Sequence, residues 1–480
     1  MTAIILLSVF LAAMVAIGIW GMRKTSTLGD YFLGGRTIGP WVSAVAYGTS
    51  YFSAVLFIGY AGKLGWGFGL NVLWIAAGNT LFGSLLAWVV LGRRTRRMTQ
   101  KLDVMTMPEF LNERFGAKHL KTAAAVIIFV FLLPYSASVF KGLGHLFEIN
   151  FNISYDLALI IMIAITGLYL ILGGYFAVTL TDFIQGIIMV VGSVAMIAVL
   201  AGKGGGFSTT LAKAAERYAL HVTGPTNVLL LVSLVFMTSF GTWGLPQMVQ
   251  KFYAVKSEKV IQTAAVVTTV FAAIVVFAAY LNGAMSHAFF ESVPLVDGKP
   301  AFDRLIPELL KSQLPDALMA VILLLVLSAS MSTLSSLVLV SASSVAIDLY
   351  KGQINPQVSK KSSLAMMRFL SGLFIILSFF IARYELGVIV TLMALSWGAV
   401  AGAFMAPFLY GLYWKRTTRA GVAAGMATGL ALDIALFFIL GPSNSPIAST
   451  AAMIAPFLVV PAVSVLTRPP AEKIIRRSFG

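Results

Sequence analysis

The sequence contains no cysteine and few charged residues, and both shortages narrow the class of protein. Without cysteine there is no disulfide, no thiolate metal site and no cysteine nucleophile. Charged residues make up only 11% of the chain, whereas soluble domains carry about 25%. Hydrophobic residues make up 59%, and the mean hydropathy is +0.91. The composition excludes an ordinary globular protein and is typical of a chain that crosses a membrane many times.

Apolar runs of about 20 residues, the length that crosses a bilayer core as a helix, recur along the chain. They predict an all-α polytopic membrane protein with about thirteen transmembrane helices. Basic residues follow the first run rather than precede it, so we interpret that run as a membrane helix and not as a signal peptide. The predicted spans are 3–22, 40–61, 68–92, 121–148, 154–173, 180–201, 226–249, 261–284, 316–347, 362–383, 386–414, 418–440 and 449–468.

Basic residues outnumber acidic ones by 34 to 18, and their positions predict the orientation of the chain. If the spans alternate in direction, 25 of the 34 basic residues fall on one side of the membrane. Because basic loops stay in the cytoplasm, we expect a cytoplasmic C-terminus and an external N-terminus in a cell (inner) membrane. The basic excess is then an orientation signal, so we expect no nucleic-acid partner, and no obligate protein partner is evident.

Two spans that lie five apart, the second and the seventh, are interrupted by small and polar residues. The interrupting residues are Gly48, Thr49, Ser50 and Ser53 in one, and Thr238, Ser239, Gly241, Thr242, Gly244 and Pro246 in the other. Matched breaks of this kind indicate a binding site between two inverted repeats, although small residues also allow close helix packing. We predict repeats at 40–201 and 226–414, an external loop at 202–225, and additional segments at 1–39 and 415–480.

The ninth span carries a stripe of small and hydroxyl side chains. Ala329, Ser332, Thr333 and Ser336 follow one another at helical spacing, with Ser335 at the margin. Hydroxyl and carbonyl oxygens are the ligands that hard cations prefer. The alternative is that these hydroxyls bond to their own helix.

Acidic and basic side chains inside predicted spans are costly and suggest function. Asp182 lies at the start of the sixth span and is a candidate ion site, or else a helix cap. Asp433 lies outside both predicted repeats and favours a structural interpretation. Lys141 is a candidate for attracting a carboxylate, or else a lysine that extends to the membrane surface.

Seven segments carry distinctive motifs: DYFLGGRTIGPW (30–41), MTMPEFLNERF (105–115), GGYFAVTLTDFIQG (173–186), GLPQMVQKFYAVKS (244–257), SMSTLSS (330–336), AIDLY (346–350) and GLYWKRTTRAGVAAGM (411–426). Together they resemble the sodium/solute symporter family, which includes bacterial proline, pantothenate and sialic acid transporters and animal sodium–glucose transporters. The resemblance runs nearly end to end. It implies a leucine-transporter-type fold with a core of five-plus-five inverted repeats.

The resemblance also implies where sodium binds. The family's common site would use the carbonyls of Thr49, Phe52 and Ala329 with the hydroxyls of Ser332 and Thr333. A second site, known in some members, would use Asp182, Ser332, Ser335 and Ser336. We therefore expect one or two Na⁺ ions and no other metal.

The solute is expected to be small and to carry a carboxylate, and we predict a pocket lined by Tyr51, Ser53, Tyr135, Trp243 and Pro246. The segment around Tyr135 resembles proline transporters. Tyr51 and Val55, however, replace the aspartate and tryptophan of that group, and two other segments are closer to pantothenate-type relatives. Each aromatic side chain could alternatively serve helix packing.

These features together predict a sodium-coupled symporter that imports an amino acid such as proline, pantothenate or a monocarboxylate by alternating access. The alternatives are a proton-coupled symporter of the same fold that uses Asp182, or a sugar or sialic acid substrate. A channel would need a continuous polar pore. An enzyme would need a catalytic motif, and the sequence contains no HExxH, GxSxG or P-loop.

Overall fold

The computed structural model describes residues 2–24, 32–222 and 224–480, and these residues are mostly helical. Turns of π-helix occupy Val55–Tyr60, Asn79–Leu86, Trp88–Gly92 and Ser344–Ile354, and Leu295–Val296 pairs with Lys299–Pro300 in a short antiparallel hairpin. The α-helices are α1 (Thr2–Lys24), α2 (Pro40–Tyr51), α3 (Ala61–Phe68), α4 (Leu73–Gly78), α5 (Arg93–Lys101), α6 (Met107–Phe115), α7 (Lys118–Phe151), α8 (Tyr155–Lys203), α9 (Phe207–His221), α10 (Val228–Phe240), α11 (Pro246–Ala254), α12 (Glu258–Met285), α13 (Phe302–Gln313), α14 (Asp316–Ser343), α15 (Lys360–Arg383), α16 (Ile389–Tyr413), α17 (Arg419–Leu440), α18 (Ser445–Leu466) and α19 (Glu472–Phe479).

Ten helical segments among the described residues are long and apolar enough to cross a membrane, and the bent pair α10–α11 makes an eleventh. The chain is therefore a multi-pass helical protein, but the count differs from the thirteen spans expected from the sequence. The difference arises where two predicted spans fall within one helical segment. One case is Val55–Lys101, which includes the end of the span predicted at 40–61 and all of the span predicted at 68–92.

The other case is α8, which runs through the spans predicted at 154–173 and 180–201. Its 49 residues would extend about 73 Å as a straight helix, more than twice the ~30 Å thickness of a bilayer core. Its length exceeds that of a single crossing, but the helix is continuous, so no turn marks a boundary between the two predicted crossings. Within Val55–Lys101, by contrast, Gly69 has a φ of +52°, so the backbone there departs from the helix.

Helix ends follow the usual side-chain rules. At the start of α6, the Thr106 hydroxyl accepts a hydrogen bond from the Glu109 N–H, and the Glu109 carboxylate accepts one from the Met105 N–H. This reciprocal pair satisfies donors that the first turn leaves free. Ser154 and Thr418 cap α8 and α17 in a similar way.

Burial separates central from peripheral helices. The most apolar stretch of α16 is 94% buried, whereas the corresponding stretches of α1 and α17 are only 22% and 28% buried. The outward apolar side chains of the peripheral helices, such as Phe438 and Leu466, are exposed. Such apolar surface is unfavourable in water and suited to lipid, so α16 and the largely buried α14 lie at the centre of the bundle.

The helices α3 and α12 cross at two glycines, with no side chain between their backbones. A Cβ on Gly65 would lie 2.4 Å from the Gly283 carbonyl carbon, and a Cβ on Gly283 would lie 2.0 Å from the Ala61 oxygen. Only glycine allows so close an approach, which is a common way for helices to associate in membranes.

The helix α2 lies in the middle of the described residues and positions the candidate site. It packs against α8, α11, α12 and α14. Residues from the second, sixth, seventh and ninth predicted spans therefore meet around one short helix.

Candidate functional site

The second predicted span is broken at Phe52. The helix α2 ends at Tyr51, and Phe52 has extended backbone angles (φ −113°, ψ 122°) before the helix resumes near Val55. Ending a helix leaves the carbonyls of its last turn without N–H partners from the following turn. The break therefore presents free backbone oxygens inside the bundle.

Hydroxyl groups of α14 contact this break. Ser332 donates a hydrogen bond of 2.8 Å to the Thr49 hydroxyl. The Thr333 hydroxyl lies 3.3 Å from the Thr49 carbonyl, 3.2 Å from that of Ser50 and 3.2 Å from that of Ala329. All five residues are buried. They form a cluster of neutral oxygens, the ligand type suited to a hard cation.

Phe52, the remaining residue of the predicted sodium site, differs from the other four. Its ring stacks on Tyr51 at 4.2 Å, and its N–H donates to the Gly48 carbonyl. The structure therefore brings Thr49, Ala329, Ser332 and Thr333 together and leaves Phe52 at the adjacent break. We refer to Thr49, Ser50, Ala329, Ser332 and Thr333 as the oxygen cluster.

Asp182 on α8 forms a buried ion pair with Lys251 on α11. The Lys251 Nζ lies 3.3 Å from Asp182 Oδ2, and both side chains have at most 1% exposure. The same ammonium group lies 5.3 Å from the centre of the Tyr175 ring. The partner of this carboxylate is therefore a cationic side chain, which the sequence analysis did not identify.

The two other serines predicted for the Asp182 site bond elsewhere. The Ser335 hydroxyl donates to the Met331 carbonyl of its own helix at 2.6 Å. The Ser336 hydroxyl pairs with that of Ser50 at 2.9 Å. The third serine, Ser332, donates to Thr49, and Asp182 Oδ1 is buried without a hydrogen-bond partner among the described residues.

The seventh predicted span breaks as well, between α10 and α11, where the chain bends by 41°. A Cβ on Gly244 would lie 2.8 Å from the Met405 nitrogen of α16, so glycine allows the break to sit directly on that helix. The Thr238 hydroxyl donates to Asn79 at 2.7 Å. Both matched breaks are thus held by polar contacts to neighbouring helices.

Aromatic side chains gather next to the Phe52 break. Trp397 of α16 lies 6.2 Å from Tyr51, roughly parallel to it, and 5.9 Å from Tyr135, with its ring nearly perpendicular. The Tyr51 hydroxyl donates to the Thr238 carbonyl, which joins the first break to the second. Tyr51, Tyr135 and Trp397 form what we call the aromatic cluster.

The other predicted pocket residues lie around this cluster rather than inside it. Trp243 donates to the Phe82 carbonyl at 3.0 Å and packs against Phe240. The Ser53 hydroxyl accepts from the Val55 N–H at the restart of the helix. Pro246 lines a separate cavity of about 10 Å³, next to Asp348. The structure therefore brings Tyr51 and Tyr135 together and does not bring Pro246 to them.

Three residues of the site were missed by sequence reasoning: Asn79, Lys251 and Trp397. Asn79 and Trp397 lie in predicted spans, where a polar or large aromatic residue among apolar and small ones is a signal in itself. Lys251 was counted among the cytoplasmic basic residues, although it is 2% exposed. Its burial depends on the bend before α11, which hydropathy does not reveal.

Lys141 and Asp433 lie away from the oxygen cluster. The Lys141 Nζ lies 3.0 Å from Asp303 and 3.8 Å from Glu385, in a charged group that also contains His145. These side chains line a cavity of about 380 Å³. Asp433 packs against Gly398 of α16, and a larger residue at position 398 would leave no room for the Asp433 carboxylate.

The chain is similar to known proteins over most of its length. A model described as the sodium:solute symporter family matches residues 31–429. The osmoregulated proline transporter of Bacillus subtilis is 32% identical over 434 residues, covering 87% of this chain and 85% of that protein. A sodium/proline symporter of Staphylococcus aureus is 32% identical over 433 residues, covering 87% and 82%.

Solved structures are similar over almost the whole chain. A sodium-coupled sialic acid symporter in a substrate-bound, outward-open state aligns with a TM-score of 0.79 at 17% identity, covering 98% of both chains. A nucleobase-cation-symport-1 family transporter aligns with a TM-score of 0.57 at 16% identity, covering 93% and 97%. At these identities the likeness concerns the fold, which is of the leucine-transporter type.

Proposed function

The chain belongs to the sodium:solute symporter family, and from that premise we propose that it imports a small carboxylate-bearing solute with sodium held at the oxygen cluster. Family membership makes it a sodium-coupled symporter of a small solute and not an enzyme. The proposal adds the residues that bind the ion, the chemistry of the solute and the direction of transport.

One observation carries the proposal: the Ser332 and Thr333 hydroxyls of α14 meet the last turn of α2 where that helix breaks. In the sodium-bound protein, these two hydroxyls would bind the ion with the carbonyls of Thr49, Phe52 and Ala329. These ligands are uncharged oxygens, which suit a hard cation that must also be released during transport. In the present structure, the two hydroxyl groups form hydrogen bonds within the oxygen cluster instead.

Sodium at this place would couple binding to motion. The ion would bridge α2 and α14, and it would bind most tightly to the conformation in which both helices contribute ligands. Sodium would therefore favour that conformation over the others. One ion that enters down ~100 mV and a tenfold gradient releases about 3.7 kcal/mol, enough for roughly 400-fold accumulation of a neutral solute. Release of the ion into a cytoplasm low in sodium would separate the helices again.

The test is uptake into proteoliposomes by a variant with Ser332→Ala and Thr333→Ala. We expect sodium-stimulated uptake to be lost while the protein still reconstitutes. Ser378→Ala is the matched control, because that buried serine bonds to its own helix in α15, far along the chain from the oxygen cluster. Unchanged sodium dependence of the double variant would rule out this ion site.

The solute would bind at the aromatic cluster, between the two breaks. A helix restarts near Val55, close to Tyr51, and the N-terminal end of such a half-helix attracts a carboxylate through its dipole. Proline is the first compound to test, since the relatives at 32% identity are proline transporters. Competition against labelled proline by pantothenate and by short monocarboxylates would rank the other candidates.

We extend the proposal to the architecture. The α2 and α10–α11 breaks would begin two repeats, at 40–201 and 226–414, within thirteen spans, with an external N-terminus and a cytoplasmic C-terminus in the cell (inner) membrane. Proton coupling through Asp182 is the alternative for the driving ion. Uptake in sodium compared with choline, at fixed pH, distinguishes the two.

A further inference from the structure

The Asp182–Lys251 pair joins the sixth span to the second half of the broken seventh span, next to the oxygen cluster. Both residues are buried, and the Lys251 Nζ lies 3.3 Å from Asp182 Oδ2. Ser332 lies close to Asp182 but donates its hydrogen bond to Thr49, and Asp182 Oδ1 is buried without a hydrogen-bond partner among the described residues. The carboxylate that would attract a second sodium ion is therefore already paired with a cation of the chain itself.

Charge balance makes a second ion unfavourable here. Buried charges are tolerated when they are paired, and the Asp182–Lys251 pair is neutral as a unit. A sodium ion added beside it would give the pair a net charge of +1 and would face the ammonium group at short range. Among the described residues, no other acidic side chain forms an ion pair with Lys251.

The remaining ligands are not arranged for a second ion either. Ser335 bonds to Met331, and Ser336 bonds to Ser50. The Lys251 ammonium is also stabilised by the face of the Tyr175 ring, at 5.3 Å. These contacts hold the cation of the chain in place and leave the serines engaged elsewhere.

We propose that the Lys251 ammonium occupies the place of a second sodium ion at Asp182, so that the carrier couples one sodium ion to each solute. This inference rests on the proposed sodium site at the oxygen cluster. It makes Lys251 the residue that sets the ion stoichiometry, and it predicts that removing its charge creates a second sodium site.

The experiment measures sodium stoichiometry in two ways, with L-proline as the transported probe. In proteoliposomes held at zero voltage, a tenfold outward proline gradient is balanced by a tenfold inward sodium gradient if one ion is coupled, and by a roughly threefold one if two are coupled. Equilibrium binding of radioactive sodium to the purified protein gives the number of ions without transport. For the wild type we expect one ion by both measurements.

The variants then test the role of Lys251. We expect Lys251→Gln to bind two sodium ions and to couple two, and Lys251→Gln with Asp182→Asn to return to one. Lys256→Gln is the control, because Lys256 is exposed just beyond the same helix, and it should retain one ion.

Each outcome has a distinct meaning. Two ions in the wild type, or one ion in a folded Lys251→Gln protein, overturn the inference and leave the proposed site intact. A wild type that neither binds sodium nor uses it overturns the proposed function itself. If Lys251→Gln does not fold, a wild type that binds or couples two ions still overturns the inference.

Discussion

The Ser332 hydroxyl of α14 donates a 2.8 Å hydrogen bond to the Thr49 hydroxyl of α2, across 283 positions of sequence. Because Ser332 donates its hydroxyl hydrogen to Thr49, the bond orients the Ser332 oxygen and leaves its lone pairs available to bind an ion. Because both residues are buried, water does not compete for their oxygens as it would at a surface. The strength of ion binding should therefore depend on each of these hydroxyls.

Replacing Thr49 by valine tests this dependence. The change removes the hydroxyl and keeps the branched shape, and the carbonyl of residue 49 stays in place. Losing one such interaction costs on the order of 1.4 kcal/mol, so the half-saturating sodium concentration should rise about tenfold in transport assays. Thr49→Ser retains the hydroxyl and should stay near the wild type. An unchanged sodium dependence for Thr49→Val would contradict the role of this side chain.

Trp397 tests the aromatic cluster. Trp397→Phe keeps a ring but reduces its contact with Tyr51 and Tyr135, whose ring centres lie 6.2 Å and 5.9 Å away. Aromatic pairs contribute about 0.5–1.5 kcal/mol, so the half-saturating solute concentration should rise roughly 2- to 10-fold, with sodium affinity little changed. Trp74→Phe, on the exposed surface, is the control. Equal effects of the two changes would remove Trp397 from the solute site.

Glu385 gives a prediction about pH. It lies in the segment between α15 and α16, and the hydrogen bond from His145 holds the pKa of this carboxyl below its usual value of 4.5, helped by Lys141. Since the folded protein lowers this pKa, the contact stabilises the fold above pH 4.5 and is lost as pH falls through the lowered pKa.

The corresponding measurement is the melting temperature of Glu385→Ala and of the wild type in detergent from pH 7 to pH 3.5. Glu385 is partly exposed, so the variant should lose less than about 1 kcal/mol at pH 7. The difference in melting temperature between the variant and the wild type should become smaller as the pH falls toward 3.5. Glu291→Ala, exposed in the loop after α12, should show no such trend. A difference in melting temperature that grows as the pH falls would contradict the prediction.

The lack of cysteine makes the orientation directly measurable. Because the natural chain has no thiol, a single introduced cysteine is the only site for a membrane-impermeant maleimide. In intact cells, Glu291→Cys should be labelled from outside, whereas Lys473→Cys, in the first turn of α19, should be labelled only after the membrane is opened. The opposite pattern would invert the proposed orientation.

Sequence reasoning was most successful where a pattern is local. Small and polar residues in the second and seventh spans predicted breaks, and the structure has them at Phe52 and Gly244. Helical spacing put Ser332 and Thr333 on one stripe, and both contact α2. That these residues bind sodium remains a prediction. The predicted number of spans stays a prediction, because the continuous α8 shows no boundary between two predicted crossings.

Sequence reasoning was weakest for contacts that depend on how helices are rotated and bent. Lys251 lies 69 positions from Asp182, and the bend before α11 decides that it points inward. The same bend directs Pro246 toward Asp348 rather than toward Tyr51. Hydroxyls such as that of Ser335 have several acceptors within reach, so spacing alone does not select one.

The glycine crossing of α3 and α12 constrains how an alternating-access carrier can deform. With Gly65 and Gly283 backbone to backbone, sliding one helix along the other would drive peptide groups into each other. These two helices should therefore move as one rigid body. The angular change needed to open either side of the membrane is left to the unwound residues at Phe52 and Gly244, which act as hinges about a stiff frame.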